Sequence, residues 1–214
     1  MSSNENKLDN PVWFSLTETH NKFSVEYDGV KFYHPDYCPF GGFTDIDKTA
    51  NSLDQYSNMV QNFYVVGQQP KFNDSIILNR DLVCNQMVLE NKIDIDIDEE
   101  LVELHIEHKD DLFSLVNLVQ PGFFKNNELV AVTGERMKMD AYTEVSAVVT
   151  HPAHTGKGYA KKLVAYTANK IFAENKIPYL HVAETNTGAV ALYEKIGFVT
   201  RRKISFWNFM KAAK

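Results

Sequence analysis

The sequence predicts an α/β protein, a central mixed sheet with helices packed on both of its faces. Three observations carry that prediction. In the second half the pattern runs strand, helix, two strands, helix, strand, helix, strand, switching between strand and helix periods. Its clearest helical stripe, Ala160, Leu163, Val164, Thr167, Ala168, Ile171 and Phe172, recurs at three- and four-residue steps. At 214 residues, the chain can bury a sizeable core without disulfide staples, as one large domain or two small ones sharing a sheet.

In chain order, the first ten residues look disordered by composition. Residues 23–27 and 30–33 then flank Asp28-Gly29, a dipeptide suited to a two-residue hairpin turn. The run Tyr37-Cys38-Pro39-Phe40-Gly41-Gly42 reads as a turn or loop. A helix is expected over about 49–62, from Leu53, Tyr56, Val60 and Phe63. Strands follow at 63–66 and 82–90. Residues 109–118 fit an amphipathic helix through Leu112, Leu115 and Val116, stopped by Pro121-Gly122. Residues 129–139 and 142–150 read as an antiparallel pair joined at Asp140-Ala141. A long helix over 156–174, a short buried strand at 178–183, a helix over 187–196 closed by Gly197, and a last strand at 198–209 complete the series. The organisation expected is an N-terminal α/β region, 1–100, followed by a second unit, 101–214.

The bulk properties narrow the function. A formal charge of −6 and a pI near 5.6 argue against a general nucleic-acid binder, leaving only a local basic groove open. Two cysteines, Cys38 and Cys84, without C-x-x-C spacing, are expected to be reduced thiols. With neither a signal-peptide core nor a long apolar run, the protein is expected to be soluble, cytoplasmic and away from membranes.

The chemistry concentrates in Val148-Val149-Thr150-His151-Pro152-Ala153-His154-Thr155-Gly156-Lys157-Gly158-Tyr159-Ala160, a strand entering a glycine-bearing turn and then a long helix. Such a turn lets main-chain N–H groups approach an anion, and the positive end of the helix favours a pyrophosphate. A Walker loop is excluded, because His151 stands where its first glycine would be and Gly158 follows Lys157. A dinucleotide fingerprint fails at Lys161, where a third glycine belongs.

What remains resembles the acyl-CoA signature of the GNAT superfamily, [RQ]-x-x-G-x-[GA], with Thr155 in place of the first Arg or Gln. Asn186-Thr187-Gly188-Ala189-Val190-Ala191-Leu192-Tyr193-Glu194-Lys195-Ile196-Gly197-Phe198 resembles that superfamily's second motif, N-x-x-A-x-x-x-Y-x-x-x-G-F, at the expected distance. The resemblance covers roughly 129–207. It looks nearest to the branch related to glycine N-acyltransferase, since 134–137, 142–148, 10–13 and 33–36 look like bacterial members of unassigned substrate. In the glycine-conjugating enzymes the N-terminal half resembles a degenerate GNAT unit, a part that residues up to about 100 would play here.

The resemblance implies a GNAT fold and an acyl-CoA co-substrate, acetyl-CoA or another. It implies an N-acyltransferase, typically an N-acetyltransferase, moving the acyl group to a primary amine by direct attack in a ternary complex. Val148, Val149 and Thr150 would pair with the pantetheine arm. Thr155, Gly156, Lys157, Gly158, Tyr159, Ala160 and Lys161 would hold the pyrophosphate, and Asn186 with Ala189 would meet the pantetheine. Tyr193 would be the acid for the departing thiolate, its alternative being a packing tyrosine. Glu144 would be the base, because it lies fourteen residues before Gly158, the interval of the strand glutamate in histone acetyltransferases and glycine N-acyltransferase. Its alternative is an exposed glutamate on a sheet edge.

His181, five residues before Asn186, is the rival base or else a hydrogen-bonded core histidine. Glu135 and Arg136 would face the acceptor pocket or form a surface ion pair. His151 with His154, and His105 with His108, have no third ligand nearby, so no metal is expected. Arg201-Arg202-Lys203 reads as the solvent end of the last strand pair, with a CoA 3′-phosphate contact as a minor alternative. Cys84 lacks a partner that would make it a nucleophile. The acceptor is read as a small-molecule or peptide amine, an aminoglycoside- or polyamine-type amine among the alternatives. A catalytically silent acyl-CoA-binding or sensing domain is the alternative from another class. The sequence leaves acceptor identity and oligomeric state open.

Overall fold

The computed structural model describes residues 5–98, 101–108, 124–125 and 128–212. The helix expected at 109–118 lies outside them. The chain begins with a 3-10 turn, Glu5–Asp9, and helix α1, Pro11–Thr17, which has proline at its first position, where the missing N–H costs nothing. Strands β1 (Ser24–Tyr27), β2 (Val30–Tyr33) and β3 (Phe40–Phe43) follow, then helix α2 (Thr49–Tyr56), β4 (Asn62–Val66) and β5 (Ile76–Val88). A small ribbon, β6 (Phe124–Lys125) with β7 (Glu128–Leu129), precedes β8 (Ala131–Lys138) and β9 (Tyr142–Thr150). Helix α3 (Tyr159–Ala173), β10 (Ile177–Ala183), helix α4 (Thr187–Lys195) and β11 (Val199–Lys211) complete the fold.

Nine of the described strands form one sheet in the order β1-β2-β3-β4-β11-β5-β10-β9-β8. The β3–β4 and β9–β10 pairs are parallel and the other neighbours antiparallel, so the sheet is mixed. Strand β11 lies between β4 and β5, and strands from before and after residue 100 therefore interleave.

Alternation along the strands sorts the core between the two faces. On one face Leu8, Val12 and Leu16 meet Tyr33, Phe40, Tyr142, Tyr179 and Phe206. On the other, Val164, Ala168 and Ile171 of α3 and Tyr193 of α4 meet Val145, Leu180 and Val182. Leu53 and Tyr56 of α2 pack with Phe32, Phe63, Val65 and Phe209. Each such fully buried apolar side chain contributes roughly 1.5–3 kcal/mol. Helix α1 is also pinned by polar contacts. Ser15 Oγ donates to the Lys138 carbonyl at 2.7 Å, and the Tyr33 hydroxyl stands 2.7 Å from Ser15 Oγ and 3.0 Å from His20 Nδ1.

Several expectations need correction. Residues 5–9 are ordered, with Leu8 in the core, and α1 is a helix that the sequence reading did not anticipate. Phe40-Gly41-Gly42 is a strand rather than a loop: a Cβ at Gly41 would collide with the Phe32 ring, so the glycine serves close packing. Helix α2 ends at Tyr56 instead of continuing to 62, because Phe63 joins the sheet opposite Phe209. Strand β5 starts six residues earlier than expected, at Ile76, along its ladder with β11. The long helix begins at Tyr159, after the glycine turn.

Candidate active site

The parallel partners β9 and β10 stay together only briefly. They pair at Ile177↔Tyr142, Pro178↔Thr143 and Tyr179↔Glu144, and then part, although β9 continues to Thr150 and β10 to Ala183. Two features open them. Strand β10 follows β5 as far as Ala183↔Cys84, while β9 carries a bulge where its register with β8 shifts between Val132 and Gly134. Ala147, in that bulge, has φ 52. Val148, Val149 and Thr150 line the opening, with Val149 and Thr150 held from behind by Val132 and Ala131 of β8.

Beyond Thr150 the chain makes a short 3-10 turn, Pro152–His154, in which His151 Nδ1 accepts from the Ala153 N–H at 3.1 Å and Thr155 Oγ1 donates to the Pro152 carbonyl. Gly156 and Gly158 follow with φ of 77° and 81°, a left-handed backbone that favours glycine. A Cβ at either would meet nothing within 4 Å, so conformation and not space selects the residue. Gly158 caps α3 and, having no side chain, offers no cap hydrogen bond to the first N–H groups of that helix. Residues 155–158 are exposed, Ala160 and Lys161 are half-buried, and Tyr159 is buried against Val130, Ala131 and Leu163. The Lys157 ammonium lies 3.2 Å from His154 Nδ1. Asn186 caps α4, its Oδ1 accepting from the Ala189 N–H at 3.2 Å.

On the α1 face a row of polar side chains crosses five adjacent strands. Arg136 of β8 donates to Glu144 of β9 twice, Nε to Oε2 at 2.7 Å and Nη2 to Oε1 at 3.0 Å. His181 Nδ1 of β10 lies 2.8 Å from the same Oε1. Gln86 of β5, directly opposite His181, places its Nε2 3.0 Å from His181 Nε2 and donates to the Leu8 carbonyl at 2.7 Å. Arg201 of β11 donates to Gln86 Oε1 at 3.0 Å and pairs with Asp9. The side chains of Glu144 and His181 are 1% and 2% exposed, whereas Arg136 is 27% exposed and its guanidinium lies over the Phe40 ring.

Burial pushes the Glu144 carboxyl up, but the Arg136 charge, the His181 hydrogen bond and the hydrogen bonds from Arg136 outweigh it and hold the group at about 2. Glu144 is thus a buried, paired carboxylate and not an exposed edge residue. Arg136 forms the cross-strand pair that the sequence raised as an alternative, inside the protein instead of at its surface. Glu135 points to the other face, into a cavity of about 500 Å³ against Thr167 and Lys170 of α3. Tyr193, 7% exposed, sits with Phe198 in the core on that second face, and burial pushes its phenol up to about 12. Glu144 and His181 are therefore brought into contact, and Tyr193 stands apart from them.

Burial also pushes both thiols, Cys38 and Cys84, up to about 12, and both are free. Among the described residues no cluster of three or more His, Cys, Asp or Glu side chains could hold a metal, and no helix is long and apolar enough to cross a membrane. Of the 201–203 run only Arg201 departs from its expected role, turning inward to Gln86, whereas Arg202, paired with Asp9, and Lys203 are exposed. Gln86 itself was missed. Its signal was a lone carboxamide on the buried face of β5, two residues from Cys84, where only a partnered polar group survives.

Residues 120–207 match the model of the family described as FR47-like protein. No curated protein sequence matches the chain. Among solved structures, a protein of Novosphingobium aromaticivorans DSM 12444 described as an acetyltransferase of the GNAT family superposes with a TM-score of 0.84 at 25% identity, covering 96% of this chain and 99% of that one. A GCN5-related N-acetyltransferase of Kribbella flavida superposes with a TM-score of 0.64 at 10% identity, covering 100% and 97%. A GCN5-related N-acetyltransferase-like protein of Streptococcus suis 89/1591 does so with 0.62 at 13%, covering 98% and 97%. The first of these neighbours supports acyl transfer broadly, and the other two share the fold. The parted β9 and β10, the glycine turn and the continuous mixed sheet thus make up a GNAT acetyltransferase fold, and the chain carries within it a segment that matches the FR47-like family.

Proposed function

We propose that this protein is an N-acyltransferase that moves an acetyl or other acyl group from acyl-CoA to a primary amine. The observation that carries the reading is the continuous run from the parted edge of β9, through Gly156 and Gly158, to the uncapped start of α3. An extended thioester-bearing arm could add to that edge through main-chain hydrogen bonds, as a peptide adds to an open strand. Its diphosphate would then reach the N–H groups of 156–161, where the helix dipole favours anions.

The acceptor amine attacks the thioester carbon, forming the C–N bond, and the C–S bond then breaks with the thiolate leaving as thiol. Tyr193 is assigned as the acid that protonates the sulfur. Glu144 is assigned as the base and His181 as its partner. A carboxyl held near 2 is a weak base for a free ammonium. The amine therefore arrives neutral, and Glu144, directly or through water, takes the far more acidic proton of the tetrahedral adduct. Residues 1–100 are read as the degenerate N-terminal unit that bounds the acceptor side, with Phe40 beneath Arg136. The branch favoured is that related to glycine N-acyltransferase, and the setting is the cytoplasm.

Titration calorimetry with CoA, combined with thiol release from acetyl-, propionyl- and benzoyl-CoA across a panel of amines, tests the reading. Binding with turnover is the expected result. Binding with no thiol release from any pair would mark a silent binding domain, and no association at millimolar CoA would remove the reading altogether.

A further inference from the structure

The carboxamide of Gln86 has its orientation fixed at both ends. Its Nε2 faces the Leu8 carbonyl at 2.7 Å, a group that can only accept, and its Oε1 faces Arg201 Nη1 at 3.0 Å, a group that can only donate. Rotating the amide by half a turn would set oxygen against oxygen at one end and N–H against N–H at the other. The side chain is fully buried, so water cannot repair either mismatch.

Both flanking contacts are built into the fold. Leu8 is held in the core on the α1 face. In the ladder between β11 and β5 the register jumps from Thr200↔Met87 to Arg202↔Gln86, which leaves Arg201 as the extra residue of a bulge. A bulge re-aims a side chain, and this one sends Arg201 to Gln86.

With its amide fixed, Gln86 must donate to His181 Nε2, 3.0 Å away, and that nitrogen must therefore carry no proton. The ring proton then sits on Nδ1 and is donated to Glu144 Oε1 at 2.8 Å. Resting on the acyltransferase reading, we infer that Gln86 is a positioning residue that locks His181 as the neutral Nδ1–H tautomer, making the imidazole a fixed donor to Glu144 and leaving Glu144 as the base of the pair. A carboxylate has about four acceptor sites. Arg136 and His181 fill three, and Oε2, with one bond, keeps a lone pair for a proton. His181 has no nitrogen left to accept one.

The test is nitrogen-15 NMR of histidine-labelled protein, with the His181 signals among the seven histidines assigned by their loss in His181→Gln. In the unmodified protein Nδ1 should be protonated and Nε2 bare. Gln86→Glu turns the donor into a second acceptor, so Nε2 should become protonated, and kcat should fall by about 10- to 100-fold with KM for acyl-CoA unchanged, by analogy with outer-shell partners of metal-ligating histidines. Gln86→Met, which removes all three bonds at similar volume, should lower kcat while the tautomers mix. An Nε2–H tautomer in the unmodified protein would overturn the inference even if no variant folds, and so would an unchanged tautomer in a folded Gln86→Glu. The spectrum needs no turnover, so an absent activity sinks the acyltransferase reading and not the tautomer assignment.

Discussion

Arg136 and Glu144 stand directly opposite each other on β8 and β9, and two parallel N–H···O bonds, of 2.7 and 3.0 Å, join a half-buried guanidinium to a carboxylate closed to water. A buried pair of this kind costs desolvation on both sides, so removing one partner is far worse than removing both.

Arg136→Met should therefore destabilise the protein by about 3–5 kcal/mol, leaving an uncompensated carboxylate inside. Arg136→Met combined with Glu144→Gln should regain most of that, since the new amide oxygen can still accept from His181. Urea denaturation midpoints of the three proteins decide it. A double variant as weak as the single one would mean that the geometry, and not the charge, sustains the site.

Glu144→Gln alone should lower kcat by about 10²–10⁴-fold, the usual range for a positioned base, with CoA affinity unchanged. Calorimetry and single-turnover kinetics separate the two effects.

Tyr193→Phe should cost little stability, within about 0.5 kcal/mol, because among the described residues its hydroxyl has no protein partner while its ring fills the core. A loss of turnover in this variant, with an unchanged melting curve, would belong to chemistry at the sulfur. Unchanged turnover would confine Tyr193 to packing.

Gly158→Ala should strain the cap by about 1–2 kcal/mol, because an L-residue is forced to φ 81. Since the space is open, the protein should fold, and CoA binding should weaken by about tenfold as the turn relaxes away from the diphosphate.

Acid should act in two stages. Burial first, then Lys138, Lys176 and Lys22, lower the His20 imidazole to about 4, so His20 is neutral in the fold. A histidine lowered from 6.5 stabilises fully above 6.5 and loses that contribution as pH falls toward 4. Glu144, lowered from 4.5 to about 2, loses its contribution only between those values. His20→Gln should flatten the upper stage of a stability–pH curve and leave the lower one.

The sequence was most legible where local rules and packing agreed. The stripe at 160–172 is a helix because the same residues that repeat at helical steps also pack on Val145 and Leu180. The glycine turn was visible because few sequences need two left-handed positions before a helix. The N-terminal region was harder. Gly41 reads as a loop residue by propensity, and only the Phe32 ring lying against it explains a strand. The site divided in the same way. Glu144, His181 and Tyr193 could be named by spacing, but spacing could not show that Glu144 and Tyr193 face opposite sides of the sheet. Gln86 and Arg201 join the row only through the pairing of β5 with β10 and a bulge in β11, contacts made by residues about 95 and 115 positions apart.

The insertion of β11 between β4 and β5 also dictates when the protein can become itself. As the chain leaves the ribosome, the facing edges of β4 and β5 wait with unpaired amides and carbonyls until residues 199–211 emerge, and until then Gln86 has no Arg201 to orient it. Closure of the sheet and orientation of the Gln86 amide are one late event, so a nascent chain interrupted before that strand exposes two adhesive edges to its neighbours.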